Sequence, residues 1–185
     1  LSSPMATSLE TLGLQQANLS GARGLFGELR NLQALKSLEF GSAELGPEHI
    51  EALADSVAPA NLEALSLRGN RARDHGVREL ARGRFFTNLT ALDLGNNQVG
   101  SPGARALAES ERASSLTKLD LQMNQIATEG ALELARSPFL VNLTELKMYL
   151  NPIAPPCWRA LVKSRTLDKA IIEKLTSLAS EAGAL

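Results

Sequence analysis

The strongest regularity along the chain is a frame of apolar positions, Leu-x-x-Leu-x-Leu, which stands at Leu62-Leu65-Leu67, Leu89-Leu92-Leu94 and Leu116-Leu119-Leu121. It returns as Leu143-Leu146-Met148 with one conservative change, and each start lies 27 residues beyond the last. The same step backwards reaches Leu35-Leu38-Phe40, and a 26-residue step reaches Leu9-Leu12-Leu14, so six units lie between Leu9 and about residue 170. The spacing of two inside each frame puts its last two apolar residues on one face of a short strand.

Further columns keep the same phase. Eight residues after the frame start stand Asn70, Asn97, Asn124 and Asn151, and two further on Ala72, Val99, Ile126 and Ile153. A carboxamide donates and accepts at once, which suits a bend where backbone groups leave a sheet. The two earliest units hold Ala17 and Ala43 in that column, so their turn must be closed in another way. Next come Asp74, Ser101 and Thr128, residues of the helix N-cap type, with Pro102 and Glu129 suited to a first turn. Gly76, Gly103 and Gly130 follow, expected to let the helix approach the sheet closely, and then Leu80-Ala81, Leu107-Ala108 and Leu134-Ala135. Each unit reads as a strand, a turn and about two turns of helix.

These frames and columns resemble the leucine-rich repeat in its longer, ribonuclease-inhibitor-like form, whose units carry a true helix on the convex side. Residues 134–143, Leu-Ala-Arg-Ser-Pro-Phe-Leu-Val-Asn-Leu, also resemble units of bacterial arrays. The resemblance spans nearly the whole chain and implies an α/β horseshoe solenoid of about six repeats, with a parallel concave β-sheet and convex helices. Physics points the same way, because one strand-helix unit cannot cover its own apolar face and must stack on neighbours. Deleting one leucine of the resulting ladder is expected to cost about 2–5 kcal/mol.

Ser3-Pro4 precedes Leu9 as Ser137-Pro138 precedes Leu143, so the solenoid, residues 1–170, is expected to start inside a repeat of a longer protein. Asn151-Pro152-Ile153 opens a last unit with Cys157 in the glycine column, read as a buried thiol, and Trp158 in the core. Leu167, Ile171, Leu175, Leu178 and Ala182 follow helical spacing, and residues 155–185 are expected to form a helical C-terminal cap.

Residues alternating with the frame leucines face the concave side. The central column there runs Gly13, Glu39, Ser66, Asp93, Asp120 and Lys147, flanked on one side by Gln15, Gly41, Arg68, Gly95, Gln122 and Tyr149. The other flank runs Thr11, Ser37, Ala64, Ala91, Lys118 and Glu145. Asp93 and Asp120 fall on adjacent strands about 4.8 Å apart, with Lys118 and Lys147 expected to offset their charge. Two carboxylates supply too few ligands for a divalent cation, so the pair reads as a solvated, partner-facing surface. Met123, Tyr149 and Leu150 add an exposed, partly apolar patch unless the C-terminal cap folds over it. The first three units offer mostly Gly, Ser, Ala and Thr on this face, whereas the last three combine an aromatic anchor with both signs of charge. The candidate protein-binding residues are therefore Arg68, Asp93, Asp120, Met123, Lys147, Tyr149 and Leu150.

Composition narrows the chemistry further. Leucine and alanine fill 34 and 26 of the 185 positions and aromatics only 4%, which leaves no aromatic platform for stacking bases. Nineteen basic against twenty acidic residues give a net charge of −1, without the excess a phosphate backbone requires. One cysteine and two histidines cannot build a four-ligand zinc site. His49 and His75 fall in different columns and read as exposed residues near helix starts. The sequons at Asn88 and Asn142 arise from the repeat itself, beside a third at Asn18. No phosphate loop or catalytic triad stands in the sequence. The expected function is a non-enzymatic protein-protein interaction scaffold that binds another protein, or another domain of the same longer chain, on its concave face. The other reading is a sensor or autoinhibitory segment of a larger signalling protein. No cofactor, metal, nucleic acid or membrane is expected as a partner, self-association through the truncated N-terminal end is, and a cytoplasmic location is favoured.

Overall fold

A computed structural model describes residues 8–56 and 61–154. Strands of three residues alternate with helices: β1 Thr11–Gly13, α1 Arg23–Glu28, β2 Ser37–Glu39, α2 Pro47–Asp55, β3 Ala64–Ser66, α3 Arg73–Arg82, β4 Ala91–Asp93, α4 Ser101–Ala108, β5 Lys118–Asp120, α5 Thr128–Arg136 and β6 Glu145–Lys147. The strands form one parallel sheet in sequence order, so each unit pairs only with its neighbours, as in a solenoid. The expected C-terminal cap, with Cys157 and Trp158, lies outside the described residues, as do Ser3-Pro4 and the expected start inside a repeat.

The 27-residue phase carries through to the register. Leu12, Leu38, Leu65, Leu92, Leu119 and Leu146 pair in one row. From Leu38 onward this row is buried, and so are the frame residues Leu67, Leu94, Leu121 and Met148. Opposite them the helices bury Ile50, Leu53, Val77, Leu80, Leu107 and Leu134. Each fully buried leucine of this seam is worth about 1.5–3 kcal/mol of burial. Short 3-10 segments at Leu29–Asn31, Arg84–Asn88 and Glu111–Ser115 return the chain to the sheet.

The asparagine column closes the bends as its chemistry requires. Asn124 Oδ1 accepts from the backbone N–H of Asn97 (2.9 Å) and Val99 (3.0 Å), while its Nδ2 donates to the carbonyls of Leu94, Leu121 and Gln122. Asn70 does the same two units earlier, accepting from Ala43 and Leu45 and donating to Phe40 and Leu67. The bend at Ala43 is thus held by the carboxamide of the following unit. At Ala17 the backbone serves instead, with Leu19 N–H donating to Ala43 O at 3.1 Å.

Three local expectations are corrected. Asp74, Ser101 and Thr128 stand in the first turns of their helices but do not cap them. Asp74 Oδ1 accepts from Gly100 N–H (2.7 Å) and Gly103 N–H (2.9 Å) of the next unit, Ser101 Oγ from Ala127 N–H, and Thr128 Oγ1 from Ala154 N–H. Units stack closely enough that the orphan amides of one helix start find the preceding unit's oxygen first. The glycine column answers the same closeness, helix against helix rather than helix against sheet: a Cβ on Gly130 would lie 2.8 Å from Ser101 Cα, and one on Gly103 2.7 Å from Asp74 Oδ1. His49, expected to be exposed, is buried. Its Nδ1 accepts from Gly46 N–H (3.1 Å) and lies 3.1 Å from Glu48 Oε1, and its Nε2 lies 2.9 Å from Ser20 O. His75 stays exposed, 3.9 Å from Glu51.

Candidate functional site

The concave columns line up as the register demands, with Asp93 directly opposite Asp120, and Asp120 opposite Lys147. Each aspartate is fixed by the amide two residues on: Gly95 N–H donates to Asp93 Oδ1 at 2.8 Å and Gln122 N–H to Asp120 Oδ1 at 3.0 Å. Arg68 lies across the next unit, its Nη1 3.9 Å from Asp93 Oδ1 and 3.7 Å from Asp120 Oδ2. Gly95 makes this course possible, since a Cβ there would stand 2.5 Å from that same Nη1. Lys147 Nζ stands 3.0 Å from Glu145 Oε1 and 3.9 Å from Asp120 Oδ2. The offsetting charge near the aspartate pair therefore comes from Arg68 and Lys147. No ion pair joins Lys118 to either aspartate, and this part of the expectation is corrected.

Burial pushes the Asp120 carboxyl above its ordinary value of 3.8. The Gln122 amide opposes that rise, Asp93 adds to it, and Lys147 and Arg68 oppose it. The hydrogen bond to Glu145 raises Lys147 above 10.5. Gln122 is 4% exposed, and its Nε2 donates to Asp120 Oδ2 at 3.0 Å. That leaves Gln122 Oε1 buried with no donor, a deficit worth about 1–3 kcal/mol.

Beside this charged network the backbone makes a repeated left-handed turn. Gln16, Ser42, Gly69, Asn96, Met123 and Leu150, each just before the asparagine column, have φ between 52° and 72°. Ladder bonds hold them there, as Met123 N–H donates to Tyr149 O at 3.0 Å and Asn96 N–H to Gln122 O at 2.9 Å. Glycine and asparagine take this conformation easily, whereas a larger L side chain costs roughly 1–2 kcal/mol. Met123 and Leu150 nevertheless stand there, 43% and 68% exposed, beside Tyr149 at 43%. With Val141 they are the exposed large apolar side chains among the described residues.

Along the central column and the flank that holds Ser37, Ala64, Ala91, Lys118 and Glu145 runs a shallow trough of about 220 Å³. Carboxylates outnumber cations along it, with Glu39, Asp93, Asp120 and Glu145 against Lys118 and Lys147. The candidate residues thus fall into one connected charged set, Arg68, Asp93, Asp120 and Lys147, and one apolar corner, Met123, Tyr149 and Leu150. Sequence reasoning missed Gln122 and Gly95 as members. Both stand in the Arg68 column, but a buried amide and a missing Cβ take their meaning from neighbouring units. No three His, Cys, Asp or Glu side chains are grouped to hold a metal ion among the described residues, and no helix there is long and apolar enough to cross a membrane.

Residues 87–108 and 112–135 match the family described as Leucine Rich repeat. Over these stretches the chain is similar to leucine-rich repeats. The matched stretches run from the end of the 3-10 segment after α3 into α5, and so include β4 and β5 with Asp93 and Asp120. Among solved structures, a plant peptide hormone receptor, RGFR1 in complex with RGF2, superposes with a TM-score of 0.47 at 18% identity. The alignment covers 79% of this chain and 21% of the receptor chain, so the repeats described here span a minor part of that receptor's length. No curated protein matches the chain.

Proposed function

We propose that this leucine-rich-repeat chain is a non-enzymatic binding module, of the ribonuclease-inhibitor-like kind, that docks another protein on the C-terminal half of its concave face. The observation that carries this reading is the apolar corner. At a position where the backbone favours glycine or asparagine, two successive units hold Met123 and Leu150 in the left-handed conformation, with most of Leu150 in solvent. Such strain contributes nothing to the core, and it accounts for itself where a surface must offer apolar area beside an aromatic anchor. The preorganised charges of Arg68, Asp93, Asp120 and Lys147 next to that corner give orientation to a docked partner. Helices of eight to ten residues in the units from α2 to α5 support the longer repeat class.

The test is capture of the partner followed by two substitutions. Tyr149→Ala should weaken binding about tenfold or more with the circular dichroism spectrum unchanged. Leu150→Gly should weaken binding while raising the unfolding free energy by about 1 kcal/mol, because it removes both the anchor and the strain. If both variants bind the partner like the parent chain, the concave corner is not the docking site.

A further inference from the structure

The trough beside the apolar corner has a chemical preference of its own. Four carboxylates and two ammonium groups line it, and Lys147 is already drawn to Glu145 at 3.0 Å. Ala64 and Ala91 give its lining an apolar stretch on which an aliphatic stem can lie. Asp93 and Asp120 stand side by side, and the guanidinium that approaches them, Arg68, does so at 3.7 and 3.9 Å. Those separations exceed the roughly 2.7–2.9 Å of a charge-assisted hydrogen bond, so Arg68 neutralises the pair loosely and without engaging either member's lone pairs. It reaches them only by lying over a glycine, a course held by no hydrogen bond of its own to the two carboxylates. Gln122 adds an independent sign. Its amide is tied to Asp120 Oδ2 through Nε2, while Oε1 is buried without a donor. A site with two carboxylates that no cation hydrogen-bonds and an unpartnered carbonyl oxygen calls for a group rich in N–H donors and positive charge, and the planar fork of an arginine presents five such donors.

We propose that the Asp93–Asp120 pair is a receiving site for an arginine side chain of the docked partner, and that Arg68 is its intramolecular placeholder. The incoming stem lies over Ala64 and Ala91, its guanidinium engages both carboxylates and the Gln122 amide, and Arg68 swings off Gly95 toward solvent. This rests on the concave face being the docking surface and adds the chemistry that the surface recognises. An acidic partner segment is the opposite assignment, in which Arg68 and Lys147 make the contacts.

The probes are two capped pentapeptides, Gly-Arg-Gly-Arg-Gly and Gly-Glu-Gly-Glu-Gly, titrated into the isotopically labelled chain and followed by backbone amide shifts and calorimetry. The arginine peptide should move the amides of Asp93, Gly95, Asp120 and Gln122. Its binding should weaken about tenfold in the Asp93→Asn plus Asp120→Asn variant, which keeps the acceptors of the Gly95 and Gln122 amides, and tighten about threefold in Arg68→Gln, where the placeholder is gone. If the acidic peptide moves the same amides and Arg68→Gln weakens it, the concave face stands as the docking surface and the arginine assignment is overturned. Shifts confined to the convex helices with either peptide overturn both readings, and no concave shift with the arginine peptide overturns the placeholder.

Discussion

Asn124 offers the sharpest test of what couples one unit to the next. Replacing it with alanine removes the acceptor of two buried N–H groups, those of Asn97 and Val99, and a donor shared by three carbonyls. The carbonyls lose less, since each has a second lone pair and Leu121 O keeps the Asn151 amide at 2.8 Å. The two stranded N–H groups lose about 1–3 kcal/mol each, so the substitution should cost about 3–5 kcal/mol in all. That corresponds to a fall of roughly 10 °C in Tm for a domain of this size. Urea unfolding followed by far-ultraviolet circular dichroism measures it. The neighbouring exposed Gln125→Ala serves as control and should stay within about 0.5 kcal/mol of the parent. Asn151→Ala, whose Oδ1 accepts from Ile126 alone among the described residues, should cost visibly less than Asn124→Ala. A cost below about 1 kcal/mol for Asn124→Ala would refute the ladder, because it would mean the bends are closed by the backbone alone.

Two further outcomes follow from the packing and the charges. Gly130→Ala drives a Cβ to 2.8 Å from Ser101 Cα, where backbone must yield, and should cost about 1–3 kcal/mol by chemical denaturation, whereas Gly27→Ala in α1 meets nothing within 4 Å and should gain about 0.5–1 kcal/mol. Asp120 is raised in the fold, chiefly by burial, so its contribution is fully present below 3.8 and is lost as pH rises through the folded value; Asp120→Asn should match the parent chain at pH 3 and become relatively more stable as pH climbs toward neutrality, and a parent chain that gains on the variant over that range would contradict the sign.

The period made most of the fold legible. With leucines 27 apart, the pairing of Leu65 with Leu92 and of Asp93 with Asp120 follows from the sequence, because a solenoid leaves each unit no other partner. The candidate face was legible for the same reason, since alternation along a strand sorts Asp93 from Leu92 without any coordinates. What the period cannot carry is reach across units. Asp74 looks like a cap for its own helix, and only the stacking distance reveals that its carboxylate serves Gly100 and Gly103. Arg68 reads as one charge in a column, and its course to Asp120 depends on the side chain Gly95 lacks. His49 interrupts no pattern, yet burial follows from the position of Ser20 O in the preceding unit. The threonines at 90, 117 and 144 form a ladder of hydroxyls on the carbonyls of Glu63, Thr90 and Thr117, again from unit to unit.

These cross-unit bonds bear on how the face works. Met123 and Leu150 each stand immediately before a buried or half-buried asparagine, and Asn124 and Asn151 hold the bends that place those two side chains in solvent. The carboxamide that ties one unit to the next therefore also fixes where the apolar corner points. Asp93 and Asp120 are likewise pinned by amides of the same bends, at Gly95 and Gln122. On the proposed docking a partner meets two aspartates and an apolar corner whose positions were settled when the solenoid formed, so little ordering entropy remains to be lost at those groups. The side chains of the three concave columns stand outside the apolar core cluster. Their chemistry can change from unit to unit, glycine and serine early, aspartate, lysine and tyrosine late, while the leucine seam and the asparagine ladder beneath them stay the same.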